Sequence, residues 1–170
     1  FIPDFDLTAK RRLADNPLTH KSYRKGTTTL AEDVYYRESP QNLRLIIKRH
    51  NKLSNEFATW LKESGYSEVF QEQNYVDVTF KKESTIYRAE LKVCYGTGTT
   101  KAIREALGQL FEYNLYPGRT KANQWVILLD EKATNDDVTY ICTLKSELKL
   151  PLSLGWRVPS GFVFADKLGL

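Results

Sequence analysis

The sequence predicts an α/β domain with a mixed central sheet flanked by helices, and three observations point there. Apolar and polar residues alternate along residues 76–80 and 87–93, the two-residue period of half-buried strands. Helical apolar repeats stand on either side of this pair, Leu53, Phe57 and Leu61 before it and Ile103, Leu107 and Leu110 after it. An unbroken apolar run at residues 125–129 then reads as a buried strand. An antiparallel hairpin followed by a strand–helix–strand unit makes a mixed sheet with helices on both faces.

Residues 1–38 are the least legible part, an N-terminal extension with candidate short strands near residues 28–30 and 34–37. The main domain is expected over residues 39–170. Ser39-Pro40 offers a capping side chain and a first-turn proline. Leu43, Ile46, Ile47, His50, Leu53, Phe57 and Leu61 follow at helical spacing, with Gly65 as the stop. His50 sits on this stripe and is expected to pack in the core. Glu56 lies at the stripe's edge with Trp60, either solvated or reaching over the sheet.

Residues 67–72 read as an edge strand leading into the hairpin. Val76, Val78 and Phe80 are expected on one face and Asp77 and Thr79 on the other. In the partner strand Ala89, Leu91 and Val93 oppose Arg88, Glu90 and Lys92. A two-residue turn at Glu83-Ser84 would set Asp77 opposite Glu90, and a four-residue turn would set it opposite Arg88. Either register gathers two carboxylates and an ammonium. The Gly96-Thr97-Gly98-Thr99-Thr100 loop lacks the spacing and ending of a Walker A motif. Thr99 or Thr100 is expected to cap the next helix. There Ile103, Ala106, Leu107, Leu110 and Phe111 form the apolar face, while Glu105, Gln109 and Tyr113 stack on a neighbouring one. Pro117-Gly118 ends that helix. A strand over residues 125–130, a helix over 138–148 and short strands at 154–158 and 161–164 complete the order.

The 170 residues are enough for one domain with a real core, and 41% hydrophobic content marks a globular chain. The net charge of +4 suits a polyanionic partner. Two cysteines, Cys94 and Cys142, and two histidines argue against structural zinc. Reduced thiols and a cytoplasmic location are expected. No apolar run is long enough to span a bilayer. The chain begins at Phe1 and contains no methionine, so it is expected to be part of a longer polypeptide with other domains.

Two facing carboxylates beside a lysine have a plain reading as a cross-strand ion-pair cluster on an exposed sheet face. The strands, however, are central in the expected order and flanked by apolar residues. Like charges held together away from water need a cation. Oxygen donors without Cys or His favour hard Mg²⁺ or Mn²⁺. Such an ion beside an ammonium suits water attack on a phosphodiester.

Asp77, then Glu90-Leu91-Lys92 after twelve intervening residues, resembles the D…ExK signature of the PD-(D/E)xK nuclease superfamily, whose core is restriction-endonuclease-like. Gln109-Leu110-Phe111-Glu112-Tyr113 is similar to the QxxxY helix motif of that superfamily's RecB-like branch. The resemblance covers residues 40–130, and Val76 stands where the family's name has proline. It implies that Asp77 and Glu90 bind Mg²⁺, aided by the Leu91 carbonyl, with Glu56 as an outer or second-metal ligand. It also implies that Lys92 positions the attacking water. Gln109 would orient Lys92 or the phosphate, and Tyr113 would support the helix or touch the nucleic acid.

The implied activity is Mg²⁺-dependent cleavage of DNA, as in a restriction or DNA-defence protein, with a homodimer expected for double-strand cuts. Lys48, Arg49, Lys52, Lys101, Arg104, Arg119 and Lys121 are candidates for a phosphate-contacting rim. The alternative is a non-catalytic domain of the same fold that binds nucleic acid or a protein partner.

Overall fold

The computed structural model describes residues 46–94 and 98–166. The element order is α1 (Ile46–Glu63), β1 (Ser67–Gln73), β2 (Val76–Lys82), β3 (Thr85–Lys92), α2 (Gly98–Leu115), β4 (Gln124–Leu129), α3 (Asn135–Leu148), β5 (Leu152–Val158) and β6 (Gly161–Phe164). The expected strands of the N-terminal extension and the Ser39-Pro40 helix opening lie outside the described residues.

The six strands form one open mixed sheet in sequential order. β1, β2 and β3 make an antiparallel meander, β3–β4 and β4–β5 are parallel, and β5–β6 is antiparallel. Helix α1 covers one face, with Leu53, Phe57, Ala58 and Leu61 against Val78, Phe80, Tyr87, Ala89, Leu91, Val126 and Leu128. Helices α2 and α3 cover the other. Ile103, Ala106, Leu107, Leu110 and Ile141 meet Trp125, Ile127, Leu129, Leu152 and Leu154 there. Strand β4 therefore alternates between two cores, which explains why its sequence is apolar without a break.

The hairpin takes the tighter of its two open registers, with Lys82 paired to Thr85 across a turn at Glu83-Ser84. Glu83 supplies the positive φ, 54°, that a two-residue turn requires. The ladder runs back to Val78↔Ala89, one step short of Asp77 and Glu90. Val76 departs from the expected alternation: it joins the α2-side core rather than that of Val78 and Phe80. It lies beyond the last ladder pair, directly after the Asn74-Tyr75 turn, where pairing to β3 no longer holds the strand to its pleat.

Neither Thr99 nor Thr100 caps α2. The helix begins at Gly98, and both hydroxyls donate instead to the Asp137 carboxylate at the start of α3. A tertiary acceptor displaces the local one. Helix α3 starts three residues earlier than its apolar pattern implies, because Thr134 and Asp137 form a reciprocal capping box. At the far edge, a Cβ on Gly155 would stand 2.5 Å from the Phe164 ring, so only glycine lets β6 lie against β5 there. Among the described residues no helix is long and apolar enough to cross a membrane.

Candidate active site

The ends of β3 and β4 and the start of β2 meet at one end of the sheet, where open α/β sheets commonly place their sites. Asp77 is the second residue of β2. Past the last ladder pair its carboxylate takes over the pairing role: Oδ2 accepts the Leu91 amide at 2.8 Å. Two-residue alternation along β3 then turns Glu90 and Lys92 together toward α2. Lys92 Nζ lies 2.9 Å from Glu90 Oε1 and also donates to Gln109 Oε1. Gln109 Nε2 in turn donates to the Tyr113 hydroxyl at 3.2 Å, one helical turn on. The ammonium is thus held from two sides, by a strand carboxylate and a helix amide.

Glu90 is the most deeply buried of these groups, 1% exposed. Burial, reinforced by the negative charge of Asp77, pushes its carboxyl up to about 8 against the opposing pull of Lys92 and His50. Its Oε2 is enclosed and has no hydrogen-bond partner among the described residues. An unsatisfied carboxylate oxygen costs roughly 1–3 kcal/mol or more. Burial and the charges of Glu90 and Asp77 raise the Tyr113 hydroxyl far above its ordinary value, so it stays neutral.

His50 is the residue that sequence reasoning misplaced. Its Nε2 lies 3.3 Å from Asp77 Oδ2, in a side chain still 29% exposed. Burial alone would lower its pKa, but the Asp77 hydrogen bond and the charges of Asp77 and Glu90 outweigh that and raise it. The signal was present, since His50 is the one titratable side chain on an otherwise apolar stripe. Asp130 was also read only as the end of a strand. Its side chain is buried, accepts the Cys94 amide at 2.8 Å and pairs with Arg49 Nη2 at 2.5 Å. Burial, reinforced by the negative charges of Asp130 and Glu131, pushes the Cys94 thiol up to about 12.

Glu56 does not join the cluster. It pairs with Arg157 at 3.2 Å and Lys52 at 3.8 Å, toward β5 and β6. Six residues beyond His50 on α1, it is turned away by the helical phase, so the acid expected from this helix is replaced by the imidazole. Of the expected phosphate-contacting residues, Arg49 is engaged with Asp130, Lys52 with Glu56 and Lys101 with Glu105 at 3.9 Å, while Lys101 and Arg104 stand exposed on the first turns of α2. Tyr113 is buried, which suits a supporting role rather than a surface contact.

Among the described residues no three His, Cys, Asp or Glu side chains are grouped as a ready-made metal site. The donor set nevertheless fits a hard cation in its chemistry: two carboxylates, one of them with a buried unpartnered oxygen. Fold and site together define a mixed α/β domain with an acid–acid–lysine cluster at one end of its sheet. Set beside known proteins, the chain matches no family model, no curated protein and no solved structure.

Proposed function

We propose that this chain is a metal-dependent nuclease of the PD-(D/E)xK type that hydrolyses phosphodiester bonds in DNA. The observation that carries the reading is the convergence of Asp77, Glu90 and Lys92, with Glu90 Oε2 buried and without a partner among the described residues. Protein interiors rarely leave a carboxylate oxygen so placed without a function for it. The helix–three strands–helix–strand order supports the same reading.

Asp77 and Glu90, with the Leu91 carbonyl, would hold Mg²⁺ or Mn²⁺. The bound ion would supply a positive charge that acidifies water and screens the phosphate. Lys92, fixed between Glu90 and Gln109, orients the attacking water and stabilises charge developing on the phosphoryl oxygens. Hydrolysis adds that water across one P–O ester bond, leaving a phosphomonoester and an alcohol. Gln109 and Tyr113 hold Lys92 in place, and His50 orients the Asp77 carboxylate. Glu56 takes no part. Arg104 and Lys101, the latter paired with Glu105 at 3.9 Å on the helix surface, are exposed where they can meet the sugar–phosphate backbone. The chain works on DNA in the cytoplasm, its thiols reduced, in a DNA-defence role, and pairs with a second copy for double-strand cuts.

Incubating plasmid with the purified chain and Mg²⁺ or Mn²⁺, beside Lys92→Ala, tests this directly. Nicking by the unsubstituted chain alone supports the reading. Absence of cleavage with either ion, together with no rise in Tm on adding metal, leaves a non-catalytic binding domain of the same fold.

A further inference from the structure

A polar cavity of about 330 Å³ adjoins the Asp77–Glu90–Lys92 cluster. It lies between the β1–β2 turn, the α2-facing side of β2 and β3, and the loop that follows α2. Thr79, Arg88, Tyr113 and Arg119 line it, and none of its described lining residues is acidic. Arg88 is half-buried, and its Nη1 donates to the Tyr113 carbonyl at 2.5 Å and to Asn114 Oδ1 at 3.2 Å. Its Nε is enclosed and has no hydrogen-bond partner among the described residues. Arg119 enters the same cavity from the loop after Gly118, whose φ of +83° turns the chain there.

Two guanidiniums facing one concavity without a carboxylate repel each other, and an anion shared between them relieves that repulsion. Guanidinium is also the side chain best matched to phosphate, because its planar fork can bond two oxygens at once. The cavity shares the Tyr113 wall with the cluster. Arg88 precedes Glu90 by two residues on the same face of β3, about 7 Å along a strand. At an axial rise of about 3.4 Å per nucleotide, that is an interval of about two nucleotides.

Resting on the nuclease reading for the identity of the polymer, we propose that this cavity is a phosphate subsite. Arg88 and Arg119 jointly hold one phosphate group of the bound strand, about two nucleotides from the bond that is cut. A terminal phosphate and an internal phosphodiester share this chemistry.

The test is binding in EDTA, followed by fluorescence anisotropy at several salt concentrations. The probes are single-stranded oligonucleotides bearing a 5′-phosphate, a 3′-phosphate or neither. Arg119→Gln is expected to weaken binding at least about 5-fold and to reduce the salt slope by about one, and Arg119→Lys to restore part of the loss. A loss confined to one phosphorylated end identifies a terminal phosphate, and an equal loss for all three probes identifies an internal one. Arg88→Gln, checked for folding by circular dichroism, should match Arg119→Gln. Unchanged affinity and salt slope in Arg119→Gln, or no binding by the unsubstituted chain, overturns the proposal. Cleavage is measured separately on plasmid, so a chain that binds phosphate without cutting would refute the nuclease reading and leave the subsite standing.

Discussion

Glu90 and Asp137 are both acids withdrawn from water, 1% and 3% exposed, yet their surroundings are opposite. Asp137 collects the hydroxyls of Thr99, Thr100 and Thr134 and the Thr134 amide. Burial by itself would raise its pKa, but those donors outweigh it and hold the carboxyl below its ordinary range. Glu90 has one lysine for one oxygen and, among the described residues, nothing for the other, and is pushed up to about 8. A carboxylate that serves the fold is saturated by its neighbours. One left short of donors in a cleft with a second carboxylate is available to a cation from outside.

The largest effect that would sharpen this contrast is on catalysis. Glu90→Ala should cut plasmid cleavage on the order of 10³-fold and abolish any metal-induced rise in Tm, while Asp137→Ala should leave the metal response intact. Equal metal responses in the two variants would erase the distinction. Next in size, Asp137→Ala should lose about 3 kcal/mol of stability in urea denaturation, since four donors at the α2–α3 junction lose their acceptor. Loss of less than about 1 kcal/mol would show that water replaces it.

The two acids should also pull stability in opposite directions with pH. Glu90 has a raised native pKa, so its contribution is fully present below 4.5 and is lost as pH rises to about 8 in the metal-free chain. Asp137 has a lowered one, so its contribution is present above 3.8 and is lost as pH falls below that. Urea midpoints from pH 3 to 9 in EDTA, with Glu90→Gln and Asp137→Asn, check both slopes. Each substitution should flatten only its own limb. The smallest effect is expected from Thr100→Ala, which removes a single 2.8 Å hydroxyl bond to Asp137 and should cost about 1 kcal/mol.

Much of this contrast is visible only in three dimensions. Asp77, Glu90 and Lys92 were legible because strand alternation assigns faces without knowledge of the rest of the fold. Gln109 and Tyr113 were legible because i, i+4 spacing pairs them on any helix. His50 was misread because its stripe position promised apolar neighbours, whereas its Nε2 lies 3.3 Å from a carboxylate 27 residues away. Thr99 and Thr100 were assigned to a local cap, and an acceptor nearly 40 residues on claimed their hydroxyls. Glu56 satisfied the pattern of an acid on the preceding helix and still points to Arg157.

Periodicity by itself therefore determined the kinds and order of the elements, the two faces of β3 and the pairing of the strand acid with its lysine. These are properties of residues one to four positions apart, which backbone geometry couples directly. Only the tertiary structure decided which acid is satisfied and which is left short of donors, where Glu56 and His50 point, and that Arg88 and Arg119 share one cavity. Those outcomes depend on groups far apart in sequence competing for the same buried space, and local spacing carries no information about that competition.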